Sequence, residues 1–368
     1  MLKRFPDIVS TSIDRASRRA RDYRSRTADG AIAMHAVGIG ATLLTVSLFF
    51  VGSDWTVLPF LAFLATVGVG WVRYQSELAK GITLLTTVAT VAILTLIIGF
   101  LLWDAIPALR HMGLELFTRV EEPFWQAPRP DGTYSLTPMM VGTALTTVIA
   151  MGIAAPLGIA GAVFISEIAP PRVREVVKPG IELMAGIPSI TYGFVGLTIV
   201  NAYFYQQFGT PTIGDYFTAG LMIGLMALPT VVTVAEDALN AVPDAMKDGS
   251  MAMGSTKWQT TKSVTLPAAL SGVSAGVLLG IGRAMGETMA ATVMLSHTKG
   301  IPGPPFDVFS RWGETLTTVI ASEGTHASGT HLSVLFAGGV ILFGMVMALS
   351  VASQYVEWRM QQKLGGKR

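Results

Sequence analysis

The chain has 368 residues, of which 51% are hydrophobic and only 14% are charged, and its formal net charge is +2. Charged residues make up about a quarter of an average soluble domain. The composition therefore excludes an ordinary soluble protein and predicts an all-α, polytopic membrane helix bundle. Cysteine is absent, which excludes disulfides and thiolate metal sites.

Eight apolar runs are long enough to cross a bilayer, which takes about 20 mostly apolar residues in a helix. Of the 26 Lys and Arg residues, 20 lie in the termini and gaps assigned to one side and 5 in the gaps assigned to the other. Because cytoplasmic segments carry the excess of Lys and Arg, we expect a cytoplasmic membrane protein with both termini inside. The runs are 31–51, 55–72, 81–103, 138–165, 179–205, 215–236, 266–295 and 331–357.

Residues 1–30 form a basic segment with eight Lys and Arg residues. Such a segment could bind nucleic acid, but before a membrane segment it more often sets topology, so we predict no nucleic-acid partner. The first apolar run is longer than the apolar region of a signal peptide and is predicted to be retained.

The gap 104–137 is the longest predicted external segment in the first half of the chain. Its apolar residues at helical spacing predict a helix lying along the membrane surface: Ile106, Leu109, Leu116 and Phe117. This surface could bind an external partner, or it could pack against the bilayer.

The run 179–205 contains Pro188, which lacks an N–H donor and should break or kink the helix within the membrane. Ser189 and Thr191 then place hydroxyl groups beside the break. Interrupted membrane helices direct positive helix ends at binding sites in several transporters. The alternative is a kink made for packing alone.

The cytoplasmic gap 237–265 predicts a compact pair of short helices. Pro243 suits a first helical position, Gly254 suits a left-handed C-terminal cap, and Thr256 with Gln259 matches a capping box. Flexible methionines suit docking into a partner's groove, and this gap contains Met246, Met251 and Met253. The alternative is a connector without a partner.

The run 266–295 carries two charges near its middle, Arg283 and Glu287. Their spacing of four predicts one shared helical face. Glycines at the same spacing let another helix approach closely, and they adjoin this face at Gly272, Gly276 and Gly280. We therefore expect the charged face to be packed against protein. It is either a structural ion pair or the polar lining of a transport pathway.

Motifs for catalysis are absent from the sequence. It contains no G-x-x-x-x-G-K-[ST] loop, no H-E-x-x-H and no G-x-S-x-G. The five histidines form no metal-like cluster in sequence. We therefore predict a transporter subunit rather than an enzyme, with no catalytic residues, metal or cofactor. A membrane enzyme, a scaffold and a sensor are the less favoured alternatives.

One further pattern resembles the signature of ABC-importer permeases, which reads E-A-A, three residues, Gly, nine residues and I-x-L-P. The matching stretches are Asp248-Gly249-Ser250, Gly254 and Val264-x-Leu266-Pro267. This chain departs from the signature at D-G-S and at Val264. The resemblance implies that the residues coupling the chain to an ATPase are Asp248, Gly249, Ser250, Gly254, Leu266 and Pro267.

Several longer stretches resemble phosphate-import permeases of the PstC family. They include ELMAGIPSITYGFVGL, GRAMGETMAATVML and GETLTTVIAS, and the similarity spans about 81–357. It implies a type I, MetI-like permease that moves inorganic phosphate and uses 237–265 as its coupling loop. It also implies a PstA-like sibling permease in a heterodimer, cytoplasmic ATPase subunits and an external phosphate-binding protein.

The expected organisation has a six-helix permease with an added N-terminal pair. A cation and hydroxyl groups suit an anionic substrate, so the predicted pathway residues are Arg283, Glu287, Ser189 and Thr191. A permease for sulfate or molybdate is the nearest alternative. The predicted segments are 1–30 (basic), 31–80 (added pair), 81–137 (first family-type helix and external loop), 138–357 (permease domain) and 358–368 (cytoplasmic tail).

Overall fold

The structure, a computed structural model, describes residues 29–127, 132–210, 214–303 and 307–364. Within these ranges, six helices are long and apolar enough to cross a membrane, and two bent helix pairs bring the possible crossings to eight. The predicted all-α, polytopic fold is confirmed. The basic segment 1–28 and the last four residues lie outside the described ranges.

The chain up to Ile97 forms one compact unit. Its described part comprises α1 (Asp29–Val51), α2 (Val57–Arg73) and the first part of α3 (Gln75–Met112). A Cβ on Gly70 would lie 2.6 Å from the sulfur of Met34. Helices α1 and α2 therefore approach closely where Gly70 faces Met34.

The second compact unit begins at Ile98 and contains the remaining helices. Three of its helices are followed directly by a π-helical turn. The turns are Phe164–Ile168, Gly196–Asn201 and Thr261–Thr265. The helices are α4 (Glu115–Thr118), α5 (Thr137–Val163), α6 (Pro171–Gly186), α7 (Ser189–Val195), α8 (Ala202–Phe208), α9 (Tyr216–Asn240), α10 (Asp244–Ala252), α11 (Lys257–Thr260), α12 (Leu266–Ala268), α13 (Leu270–Met285), α14 (Met289–Met294), α15 (Leu316–Glu323) and α16 (Gly329–Leu364).

Helix α9 is the central helix of this unit and packs between α5 and α13. Small residues permit the close approach, since a Cβ on Gly224 would lie 2.7 Å from the carbonyl oxygen of Ala150. On the other side, the α13 glycines face α9, and a Cβ on Gly280 would lie 2.7 Å from Val231 Cγ2. The predicted packing of this glycine face is confirmed.

The predicted run 179–205 is not one crossing helix. Helix α6 and the continuous helical segment 189–208 meet at a 90° bend. Pro188 has an extended backbone (φ −56°, ψ 136°) at the N-terminus of α7, so the predicted break at this proline is confirmed.

The predicted run 266–295 is also divided. Residues 257–268 and 270–285 meet at a 70° bend, and α14 forms a third piece after residues 286–288. Hydropathy stays high through these breaks, which is why a sequence window joins them.

The external gap differs from the prediction as well. No separate surface helix spans Ile106 to Phe117, because α3 continues to Met112 and only the short α4 follows. Leu116 is fully buried beside Tyr134 and Leu136. This segment therefore packs into the core of the second unit.

Candidate functional site

The site begins at the break between α13 and α14. The carboxylate oxygen Oε1 of Glu287 accepts a hydrogen bond of 2.9 Å from the backbone N–H of Ala290. An acceptor three residues before a free helical N–H acts as an N-terminal cap. Glu287 lies past the end of α13, and its carboxylate bonds to the first turn of α14, which begins at Met289. Its expected place on one helical face with Arg283 is therefore wrong.

Arg283 lies in the last turn of α13 and is half-buried. Its Nε atom is buried and has no hydrogen-bond partner within the described ranges. Its charge acts on the hydroxyl group of Tyr192. A buried guanidinium nitrogen without a partner in the described part of the chain is energetically costly, and such nitrogens suit an anionic acceptor.

The hydroxyl residues of the predicted pathway begin the helical segment 189–208, which is apolar enough for a membrane crossing only together with α6. Ser189 is half-buried and Thr191 is exposed. Tyr192 is buried in the same turn and donates a hydrogen bond of 3.0 Å to the carbonyl oxygen of Met184. The Arg283 charge reaches Tyr192 electrostatically, but within the described residues no hydrogen bond or ion pair joins Arg283 to Ser189 or Thr191. Sequence reasoning missed Tyr192, although it lies in the quoted motif.

Helix α15 holds the backbone of Glu287 in place. The hydroxyl group of Thr317 donates a hydrogen bond of 2.8 Å to the carbonyl oxygen of Glu287. At the same helix end, the backbone N–H of Leu316 donates to the hydroxyl oxygen of Thr143 on α5 at 3.0 Å. The motif GETLTTVIAS thus holds the α13–α14 break against α5. The threonines of this motif were the sequence signal that could have predicted these hydrogen bonds.

Glu314, in the same motif, is almost fully buried. One carboxylate oxygen lies 3.3 Å from His297 Nδ1, and the other lies 3.9 Å from Lys299 Nζ. The hydrogen bond to Glu314 raises the pKa of His297 above its usual value, against the opposing effect of burial. This pair ties the loop after α14 to the start of α15.

Lys299 also pairs with Glu323 at the end of α15. Burial by itself would raise the pKa of Glu323, but the hydrogen bond and charge of Lys299, with donors from Trp125 and His331, hold it below its usual value. Trp125 Nε1 donates to Glu323 Oε2 at 2.9 Å, and His331 Nε2 lies 2.7 Å from the same oxygen. These contacts join 104–137 to α15 and α16.

The coupling segment 237–265 has the helices that its sequence predicts. Pro243 is the cap residue before α10, one position earlier than expected, and Gly254 has φ +90° in the left-handed region. The capping box of Thr256 and Gln259 is present. The methionines are exposed, with Met253 at 87%.

The signature residues in this segment do not form one cluster. Asp248 and Gly249 are exposed on α10, and the Ser250 hydroxyl accepts a hydrogen bond of 3.1 Å from Thr260. Leu266 and Pro267 begin α12, where Leu266 packs against a buried core that includes Ala269 and Val273. The α10 group is therefore open to a partner, whereas Leu266 supports the core.

Residues 154–362 match the family described as binding-protein-dependent transport system inner membrane component. The matched region includes residues 237–265, the helical segment 189–208, Arg283 and Glu287. The chain belongs to this family. The predicted importer-permease identity, a component of an inner membrane transport system, is confirmed.

Relatives of this importer permease carry more specific names. This chain is 36% identical over 238 residues to the probable ABC transporter permease protein YqgH of Bacillus subtilis. The match covers 64% of this chain and 75% of the relative. The chain is 34% identical over 247 residues to the phosphate transport system permease protein PstC of Pasteurella multocida, covering 62% of this chain and 76% of the relative. The predicted resemblance to PstC is confirmed.

The permease fold also resembles a solved structure, that of a bacterial alginate ABC transporter in complex with an alginate pentasaccharide-bound periplasmic protein. The TM-score is 0.52 with 15% sequence identity, and the match covers 79% of this chain and 99% of the other. At this identity the likeness supports the fold of a multi-pass importer permease.

Proposed function

We propose that this permease passes inorganic phosphate across the cytoplasmic membrane, driven by ATP hydrolysed on separate ATPase subunits. The observation that carries the proposal is the half-buried Arg283, whose Nε has no partner in the described part of the chain. A permanent cation at membrane depth is costly unless something pairs with it. Phosphate transport permeases among its relatives make phosphate the best-supported anion.

The proposed pathway combines one cation with several hydroxyl groups. Arg283 attracts the anion, and Ser189 and Thr191 offer donors at the start of the helical segment 189–208. Phosphate must replace its hydration shell with such donors when it leaves water. Glu287 tempers the positive field, so that the anion is released on the far side.

The proposed assembly has three kinds of protein partner. A PstA-like sibling permease completes a heterodimer, cytoplasmic ATPases dock on α10, and an external phosphate-binding protein delivers the substrate. The exposed methionines and Asp248 of the coupling segment suit a partner's groove. ATPase closure moves α10, and the bundle alternates between outward-open and inward-open states.

The proposed orientation places both termini in the cytoplasm, following the excess of Lys and Arg in alternate gaps. Residues 81–357 form the family-type permease in this proposal. The helices in 31–80 are an added pair, and an even number of added crossings preserves the orientation downstream.

The test is uptake of labelled phosphate into proteoliposomes that contain this chain with its sibling permease, ATPase and binding protein. We expect uptake that requires ATP, is competed by unlabelled phosphate, and is unaffected by equal sulfate or molybdate. Competition by sulfate or molybdate instead would identify an oxyanion permease of another specificity. ATP hydrolysis without movement of any of these anions would contradict the pathway.

A further inference from the structure

Helix α10 lacks the packed apolar face that holds most short helices in place. None of its nine residues is buried, and all are exposed except Lys247 and Ser250. Isolated helices of this length are unstable in water and depend on tertiary contacts. The contacts of Lys247 and Ser250 therefore fix α10 to the rest of the chain.

The Lys247 contact is an ion pair with the end of α5. Its Nζ lies 2.8 Å from Glu167 Oε1, and the side chains are only 16% and 7% exposed. The same Nζ lies 3.5 Å from the carbonyl oxygen of Leu239 on α9. One ammonium group thus joins α10 to the cytoplasmic ends of two core helices.

Glu167 is itself held firmly in the π turn that closes α5. The Ser166 hydroxyl lies 3.2 Å from Glu167 Oε1 and 2.9 Å from Asn240 Oδ1 on α9. Arg174 on α6 donates a hydrogen bond of 2.7 Å to the Ser166 carbonyl oxygen. The acceptor for Lys247 is therefore anchored through its neighbour Ser166 to α6 and α9, so displacing Glu167 strains both contacts.

A second ion pair provides a natural comparison. Lys178 on α6 lies 3.1 Å from Glu236 Oε1 on α9, with exposures of 39% and 3%. This pair joins α6 to α9 and does not include α10. Breaking it removes a similar charge contact while α10 keeps its attachment.

We propose that Lys247 is a positioning residue that fixes α10 to the ends of α5 and α9 through Glu167. A displacement of α10 then moves those helices instead of being absorbed in the connector 241–243. Removing one partner of a poorly solvated pair leaves the other charge uncompensated, so the attachment resists separation. The inference rests on the proposed role of α10 as the ATPase-coupling helix.

The experiment measures phosphate moved per ATP hydrolysed in the reconstituted full transporter, together with hydrogen exchange of the α10 amides. Lys247→Met should lower the transport-to-hydrolysis ratio at least tenfold and speed α10 exchange at least tenfold, with ATPase subunits still bound. Lys178→Met leaves the buried Glu236 without its cation and should lower the amount of assembled protein. In the protein that assembles, both readouts should stay within twofold of wild type. The charge-swapped pair, Lys247→Glu with Glu167→Lys, should recover at least half of the ratio.

A wild-type ratio in Lys247→Met, or an equal loss in Lys178→Met, would overturn the inference. If Lys247→Met does not assemble, the swapped pair decides: an assembled swap with a restored ratio supports the attachment, and one with a low ratio refutes it. Failure of the proposed function is distinguishable, because wild-type protein would then move no phosphate. The α10 exchange comparison would still report whether Lys247 holds the helix.

Discussion

The carboxylate of Glu287 and the backbone N–H of Ala290 are joined by a hydrogen bond of 2.9 Å. The bond satisfies an N–H in the first turn of α14, whose N-cap residue is Thr288, and places the Glu287 carboxylate at that helix end. Glu287 and Arg283, which the sequence spacing places on one helix, form no direct ion pair within the described residues. Their removal should have separate consequences.

Arg283→Gln should assemble normally and lower phosphate uptake at least tenfold. The substitution removes the cation of the proposed pathway but takes no capping partner from Glu287, so the cost of about 3–5 kcal/mol for breaking a buried pair does not apply. Quantifying the assembled complex and its ATP-dependent uptake checks both parts. Arg283→Lys, which keeps the charge, is the matched control, and uptake within twofold of wild type in Arg283→Gln would contradict the pathway.

Glu287→Ala should destabilise the protein by about 1 kcal/mol, the typical loss for removing a helix cap. Glu287→Gln keeps an acceptor oxygen for the Ala290 N–H and should retain most of that stability. Thermal unfolding of the two purified variants gives the comparison. Equal destabilisation by both changes would show that the charge, rather than the cap, supports this break.

Gly254→Val should abolish uptake while membrane insertion stays intact. A Cβ at this position would meet nothing within 4 Å, but the backbone has φ +90°, which a β-branched residue resists. Gly113 also has open space and a positive φ of 58° but lies in the external stretch, so Gly113→Val imposes similar strain away from the coupling segment. Loss of uptake in Gly113→Val but not in Gly254→Val would remove the α10 segment from the mechanism.

The His297–Glu314 pair should make stability depend on pH. Because the pKa of His297 is raised in the folded protein, its contribution is complete below the unfolded value of about 6.5 and is lost as pH rises through the folded value. His297→Gln should remove this decline. Melting temperature measured from pH 5 to 9 tests it, with His326→Gln, at an exposed position in the same stretch, as the control. An unchanged pH profile in His297→Gln would count against the pair.

The topology can be tested with single cysteines, since the natural chain has none. Val120→Cys should react with an impermeant thiol reagent from outside, and Met253→Cys should not until the membrane is opened. Both side chains are exposed, at 65% and 87%, so accessibility rather than burial decides the result. Thr260 would be a poor reporter because it is buried. The reverse labelling pattern would overturn the proposed orientation.

The sequence by itself determined the membrane class, the number of apolar runs and the local caps of the coupling segment. These features depend on hydrophobic length and on contacts between residues two to four positions apart, such as Thr256 with Gln259. The family resemblance likewise follows from short motifs in a fixed order.

Pro188 marks one break in the sequence, but only the tertiary structure decided the 90° bend there, the second break beside Glu287 and which charges meet. A run keeps its hydropathy whether its helix continues or turns, so the 90° bend before Ser189 and the break before Glu287 leave no hydropathy signal. Lys247 contacts Glu167, which is 80 residues away in the sequence, and Thr317 contacts Glu287, which is 30 residues away. Contacts at such separations depend on how the helices pack, and a single sequence has no periodicity that encodes them.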